Sequence, residues 1–195
     1  MTENHSKKEL ILAYEKFFTS KLATLVLNKP KLSVWMIFIP FIFIFFIQDF
    51  LKYKKGRKEF MENYLFTHKK ALDEAEKAIN ESRKPDTDVL AMQADLKGKS
   101  SEMYAGLLMV LAEHYTCLLK ASGDTYADLI KSAYGKNKTN LLLFFNQLNQ
   151  SEKRLNKTLA PKLKKTNTGI VDTIKKIEKH SDKLRKADTI DIYGS

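Results

Sequence analysis

One stretch constrains this chain more than any other. Residues 32–51 read LSVWMIFIPFIFIFFIQDFL, with no lysine or arginine and a single acid, Asp49, close to the end. A helix rises 1.5 Å per residue, so a run of this length would span roughly 30 Å, the hydrocarbon thickness of a bilayer. Trp35 near one end and Tyr53 just past the other stand where interfacial aromatics are favoured. Pro40 removes one backbone donor in mid-run, so a kink is expected there. A hairpin turning at Pro40 would have arms about half as long as a crossing requires. The sequence therefore predicts one kinked transmembrane helix over 32–51. The run starts too late for a cleaved leader, and no small-residue cleavage site follows it.

Flanking lysine and arginine set the orientation of such a span. Lys16, Lys21, Lys29 and Lys31 precede it, whereas Lys52, Lys54, Lys55, Arg57, Lys58, Lys69 and Lys70 follow it. The excess on the second side predicts a single-pass membrane protein, N-terminus outside, with the C-terminal domain in the cytoplasm. The expected membrane-interface residues are Trp35, Pro40, Lys52, Tyr53, Lys54, Lys55, Arg57 and Lys58.

Outside the run the patterning is helical. With only 7 glycines and 4 prolines in 195 residues, the chain has few of the turns that a sheet protein needs. Residues 7–27 read as an amphipathic helix with Leu10, Tyr14, Phe17, Phe18, Leu22 and Leu25 on one side and Lys8, Glu9, Glu15 and Lys16 interrupting the pattern elsewhere. Beside an anchor, a helix lying on the membrane surface is the expectation, with a partner-docking helix second. After the span, Met61, Leu65, His68, Leu72, Ala75 and Ile79 recur at spacings of four and three, one face of a bundle helix ending near Pro85. A short helix over 89–97 follows. A third runs from Ser100 or Ser101 to Ala121, and its broad apolar arc predicts the central core helix. Asp124 is placed to cap a short helix to Tyr134, Thr139 or Asn140 to open another that runs to Ala160 before Pro161, and a last helix carries Ile170, Ile174, Ile177, Ser181 and Leu184.

The predicted class is thus all-α: a single transmembrane helix followed by an antiparallel helical bundle of three to four long helices plus short ones. The predicted segments are an N-terminal amphipathic helix over 1–31, the span over 32–51, the bundle over 52–186 and a loose tail over 187–195.

Catalytic motifs are missing from the sequence. Its glycines are isolated, and neither HExxH nor GxSxG occurs. Glu113 and His114 are adjacent and Glu178 and His180 two apart, so neither pair shares the helix face that a di-iron Glu-x-x-His ligand set needs. No cofactor and no metal is expected. Lone Cys117 leaves no intramolecular disulfide to form. Two polar residues do break the apolar stripes: His68 in the helix after the run and Glu152 in the 139–160 helix. His114 lies at the edge of the central arc. The favoured expectation is a slight helix rotation that lets Glu152 reach solvent at the bundle edge. The alternative pairs it, inside the bundle, with His68, His114 or a basic residue, since a lone buried carboxylate is costly.

The formal charge of +11 suggests an anionic partner such as lipid headgroups, nucleic acid or an acidic protein. For the distal basic cluster, however, a simply solvated charged face is the first expectation, with anionic lipid or an acidic protein next. A basic surface is expected from Lys153, Arg154, Lys157, Lys162, Lys164, Lys165, Lys175, Lys176, Lys179, Lys183, Arg185 and Lys186, set against only Asp172, Glu178 and Asp182. That cluster holds no aromatic to stack a base, which disfavours nucleic acid. The first functional expectation is a non-enzymatic, membrane-anchored interaction or scaffold module with protein partners or self-association. The second is an anionic-lipid-sensing or membrane-shaping protein using the N-terminal helix and the basic clusters. The third is a metal-binding or catalytic bundle built on His68, His114 and Glu152.

Overall fold

The computed structural model describes residues 2–27, 56–94, 96–164 and 170–194, which form helices α1 Thr2–Leu27, α2 Gly56–Asn80, α3 Thr87–Met92, α4 Lys99–Lys120, α5 Tyr126–Tyr134, α6 Lys138–Lys164 and α7 Ile170–Tyr193. The described residues contain no strand. The five long helices close into a ring in which α1 meets α2, α2 meets α4, α4 meets α6, α6 meets α7, and α7 returns to α1.

The main core is built on α4. Tyr104, Leu108, Leu111, Tyr115 and Leu118 recur at four-three-four-three spacing and are at most 1% exposed, so one stripe of this helix is enclosed along its whole length. Around it gather Ala71, Leu72 and Ala75 of α2, Leu141, Leu148, Leu155 and Leu159 of α6, and Ile11 of α1. A second cluster at one end joins Phe18, Leu22, Ala23 and Val26 of α1 to Phe60 and Tyr64 of α2 and Ile177 of α7. Lys8 reaches Asp73 and Glu76 while Phe18 meets Tyr64, which makes α1 and α2 antiparallel.

This packing corrects the location expected from the sequence. Among the described residues no helix is long and apolar enough to cross a membrane. Moreover, α1 shares a core with α2, α4 and α7, whereas one crossing between residues 32 and 51 would leave α1 on the opposite side of a bilayer from them. A single-pass, N-out/C-in arrangement is incompatible with that contact. The run itself, with Trp35, Pro40, Lys52, Tyr53, Lys54 and Lys55, lies outside the described residues; Arg57 and Lys58 belong to the first turn of α2.

Nor does α1 lie on a surface. Its enclosed stripe is Ile11, Glu15, Phe18, Leu22 and Val26, while Phe17 and Leu25 face outward. Apolar residues surround this helix, so the sequence alone does not say which of them face the core.

Local chemistry sets the boundaries. Where α2 ends, Ser82 adopts φ 52°, its N–H donates to the Ile79 carbonyl, and the Arg83 N–H donates to that of Ala78. This is a Schellman closure with serine at the left-handed position that glycine usually fills. Thr125, rather than Asp124, caps α5 by accepting from the Asp128 N–H at 3.2 Å. Gly123 just before it has φ 151°, and an added Cβ would lie 2.4 Å from that of Asp128. Pro161 does not end α6, which continues to Lys164. The expected loose tail is also corrected: α7 extends to Tyr193, with Asp188 and Thr189 buried and the Tyr193 hydroxyl donating to the Gly135 carbonyl.

Candidate functional site

Polar side chains converge in the middle of the ring, a pair from each long helix: three or four residues apart on α2, α6 and α7 and adjacent on α1 and α4. α1 contributes Tyr14 and Glu15, α2 contributes Tyr64 and His68, α4 contributes His114 and Tyr115, α6 contributes Asn149 and Glu152, and α7 contributes Arg185 and Asp188.

The first group ties α1 to α2 and α4. The Tyr115 hydroxyl donates to Glu15 Oε1 at 2.8 Å, and His68 Nδ1 lies 2.7 Å from that hydroxyl and 3.1 Å from Glu15 Oε2. Tyr115 spends its one proton on Glu15, so His68 Nδ1 carries a proton and donates. Burial pushes the Glu15 carboxyl upward, but attraction to His68 and the hydrogen bonds from His68 and Tyr115 outweigh it. The result lies below the ordinary carboxylate value. Beside them, burial drives His114 down to about 3, so it is neutral near pH 7. Its ring stacks on Phe144 with centroids 4.1 Å apart, and its Nδ1 lies 2.7 Å from the Tyr134 hydroxyl.

The second group ties α6 to α7. Arg185 Nη1 and Nη2 donate to Glu152 Oε2 and Oε1 at 2.7 and 2.6 Å, a two-pronged ion pair. Arg185 also donates to Asn149 Oδ1 and, at 3.2 Å, to the Tyr64 hydroxyl, and lies 5.6 Å from the Phe18 ring. Both partners are nearly sealed, Arg185 at 2% and Glu152 at 4% exposure. Burial opposes the guanidinium charge, but Glu152 and Tyr64 hold its proton more tightly than usual. A third tie, Tyr14 to Asp188 at 2.6 Å, fastens α1 to α7, and Tyr14 stacks on Tyr126 with centroids 3.7 Å apart.

Two small cavities share His68 in their lining. One of about 20 Å³ is lined by Tyr14, Glu15, His114, Tyr126 and Arg185 among others, and one of about 10 Å³ by Tyr64, Thr67 and Glu152. Each is the size of about one water molecule, against the several hundred Å³ that a small-molecule pocket occupies. Among the described residues no group of three or more His, Cys, Asp or Glu is placed to hold a metal ion.

The placements divide the expected residues. His68, His114 and Glu152 are all buried, so the favoured reading of Glu152 as an edge residue is corrected. Its partner is Arg185, a residue expected on the surface, and the buried guanidinium satisfies the carboxylate that α6 turns inward. Lys153, Arg154, Lys157, Lys175, Lys176, Lys179, Lys183 and Lys186 are exposed, Lys162 and Lys164 fall in the last turn of α6, and Lys165 lies outside the described residues. Glu15, Tyr64, Tyr115, Asn149 and Asp188 were not singled out from the sequence. A signal for Glu15 existed: it stands four residues from Ile11, three from Phe18 and seven from Leu22, at the centre of the stripe those residues define.

On the outside, α6 and α7 run antiparallel, with Asn149 donating to Asp182 at 2.9 Å and Asn156 to Glu178 at 2.7 Å. The acids of α7 near its middle are thereby held in the seam between the helices. Lys186 pairs with Asp182, whereas Lys153, Arg154, Lys157, Lys175, Lys176, Lys179 and Lys183 form no ion pair with a described residue.

Fold and site together define an all-α bundle with a packed polar interior and a basic two-helix face. No family model matches the chain, and neither a curated protein nor a solved structure matches it.

Proposed function

We propose that this chain is a non-enzymatic helical interaction module whose α6–α7 face binds an acidic protein surface. The observation that carries the reading is the sorting of charge across these two helices. Glu178 and Asp182 turn into the seam, where asparagines hold them, and the exposed lysines are left to face a partner. Such a field speeds encounter with an anionic partner and sets specificity more than it sets raw affinity. The polar interior serves the fold: its ion pairs and hydrogen bonds join helix to helix, and its cavities are each about the size of one water. The lipid-sensing alternative loses support because α1, the helix it would lay on a bilayer, has Ile11 and Leu22 fully enclosed.

The test is titration of the chain with a fluorescent poly-glutamate peptide at low and physiological salt. Binding should weaken as salt rises. It should fall at least tenfold in a Lys176→Glu/Lys179→Glu/Lys183→Glu variant whose thermal midpoint matches the parent's. Equal binding by parent and variant would defeat the reading.

A further inference from the structure

The basic face ends in an apolar step. On α7, Lys179, Lys183, Lys186 and Ile190 follow one another at four-three-four spacing, so they share an outward strip. On α6, Leu143, Gln147, Gln150, Arg154 and Lys157 do the same at four-three-four-three. Ile190 is 50% and Leu143 61% exposed. The antiparallel register set by Asn149–Asp182 and Asn156–Glu178 puts Leu143, about two turns before Asn149, level with Ile190, about two turns after Asp182. Two exposed aliphatic side chains are therefore level with each other at one end of the face. Along α7 the lysines begin one turn from Ile190, whereas along α6 the neutral Gln147 and Gln150 come first and Arg154 and Lys157 lie about 16–21 Å from Leu143.

We infer that the docking segment of the partner is an acidic helix ending in a pair of apolar side chains, which seat on Leu143 and Ile190 while its acids run along Arg154, Lys157, Lys179 and Lys183. This rests on the basic-face reading above and adds to it an order along the strip. The segregation of the two chemistries favours a linear protein segment over a bilayer. An anionic membrane offers charge and apolar depth everywhere in its plane, and a face lying on it gains from aliphatic side chains spread along its length. Here they occupy one end, and a rod-like ligand with one greasy end matches that order.

Two synthetic helical peptides of equal charge test it, one glutamate-rich with two terminal leucines and one with alanines in their place, each titrated by fluorescence anisotropy into the full-length chain. The leucine peptide should bind about tenfold more tightly. A Leu143→Ser/Ile190→Ser variant should bring that advantage below about twofold and leave the alanine peptide's affinity unchanged; both positions are exposed, so the fold should tolerate the change. Lys179→Glu/Lys183→Glu should weaken both peptides. Equal affinity for the two peptides would overturn the apolar step and leave the basic-face reading standing. Failure of both peptides to bind the unaltered chain would end both. Displacement of the leucine peptide by anionic vesicles, lost in the Leu143→Ser/Ile190→Ser variant, would assign the strip to lipid and overturn the inference.

Discussion

Removing either partner of the Arg185–Glu152 pair tests how the interior is held together. Glu152→Leu strips the guanidinium of both carboxylate oxygens, at 2.6 and 2.7 Å, and leaves a positive charge at a site 2% exposed. Asn149 and Tyr64 remain in reach but supply no charge. Breaking a buried pair in this way costs about 3–5 kcal/mol, because the survivor is left uncompensated. For a chain of this size, with about 2–4 °C of midpoint per kcal/mol, the expected fall in melting temperature is about 6–20 °C. Arg185→Leu should cost a similar amount, leaving Glu152 to protonate or seek solvent. The double variant puts two leucines where a desolvated pair stood, and such swaps range from neutral to stabilising by about 1–4 kcal/mol. The two single losses should therefore be strongly non-additive. Thermal melts and urea titrations of all four proteins close the cycle, with unchanged urea slopes showing that the unfolded state is not the source. If each single variant loses less than about 1 kcal/mol and the two losses add, Glu152 is not held by Arg185 and the interior described above is wrong.

Glu15→Gln should destabilise by about 1–3 kcal/mol near pH 7, since Tyr115 and His68 lose a charged acceptor. Because the Glu15 carboxyl sits below its ordinary value of 4.5, its contribution is complete above that pH and disappears as pH falls through the lowered value. The parent's stability should thus decline more steeply than the variant's on acidifying below about 4.5, and parallel curves there would refute the assignment. Ser82→Gly should raise stability by about 1 kcal/mol by relieving the left-handed serine at φ 52°, read as a higher thermal midpoint; a lower one would count against the Schellman closure. Truncation after Lys186 removes Asp188, Thr189 and Tyr193 and should lower the midpoint by several degrees, as cutting a loose tail would not.

Much of the helical architecture was legible because periodicity reports enclosure directly. The four-three recurrence of Leu65, His68, Leu72 and Ala75 gave α2 its inner face, and the broad arc from Tyr104 to Leu119 marked α4 as central. Periodicity fails where apolar residues surround a helix, as in α1, where Phe17 and Leu22 look alike in sequence and only one is enclosed. It fails again for polar partners. That Glu152 breaks a stripe is visible, but its answer, Arg185, lies 33 residues away amid lysines and reads as one more surface charge. Pro161 misled for another reason, since a proline near the end of a helix costs a hydrogen bond without stopping the chain. The largest error was positional. Hydropathy measures one segment at a time, and no property of residues 32–51 discloses that the helices before and after them share a core.

The contact of α1 with α7 has a consequence for synthesis. Tyr14 and Asp188 are 174 residues apart, so the ring closes only once its last helix has left the ribosome. At about 5–20 residues per second, Glu15 emerges some 9–35 s before its full set of neighbours exists. During that interval the side of α1 that packs on α7 is uncovered, while α2 and α4 already supply His68 and Tyr115 to Glu15. A nascent chain halted before α7 would keep that side exposed.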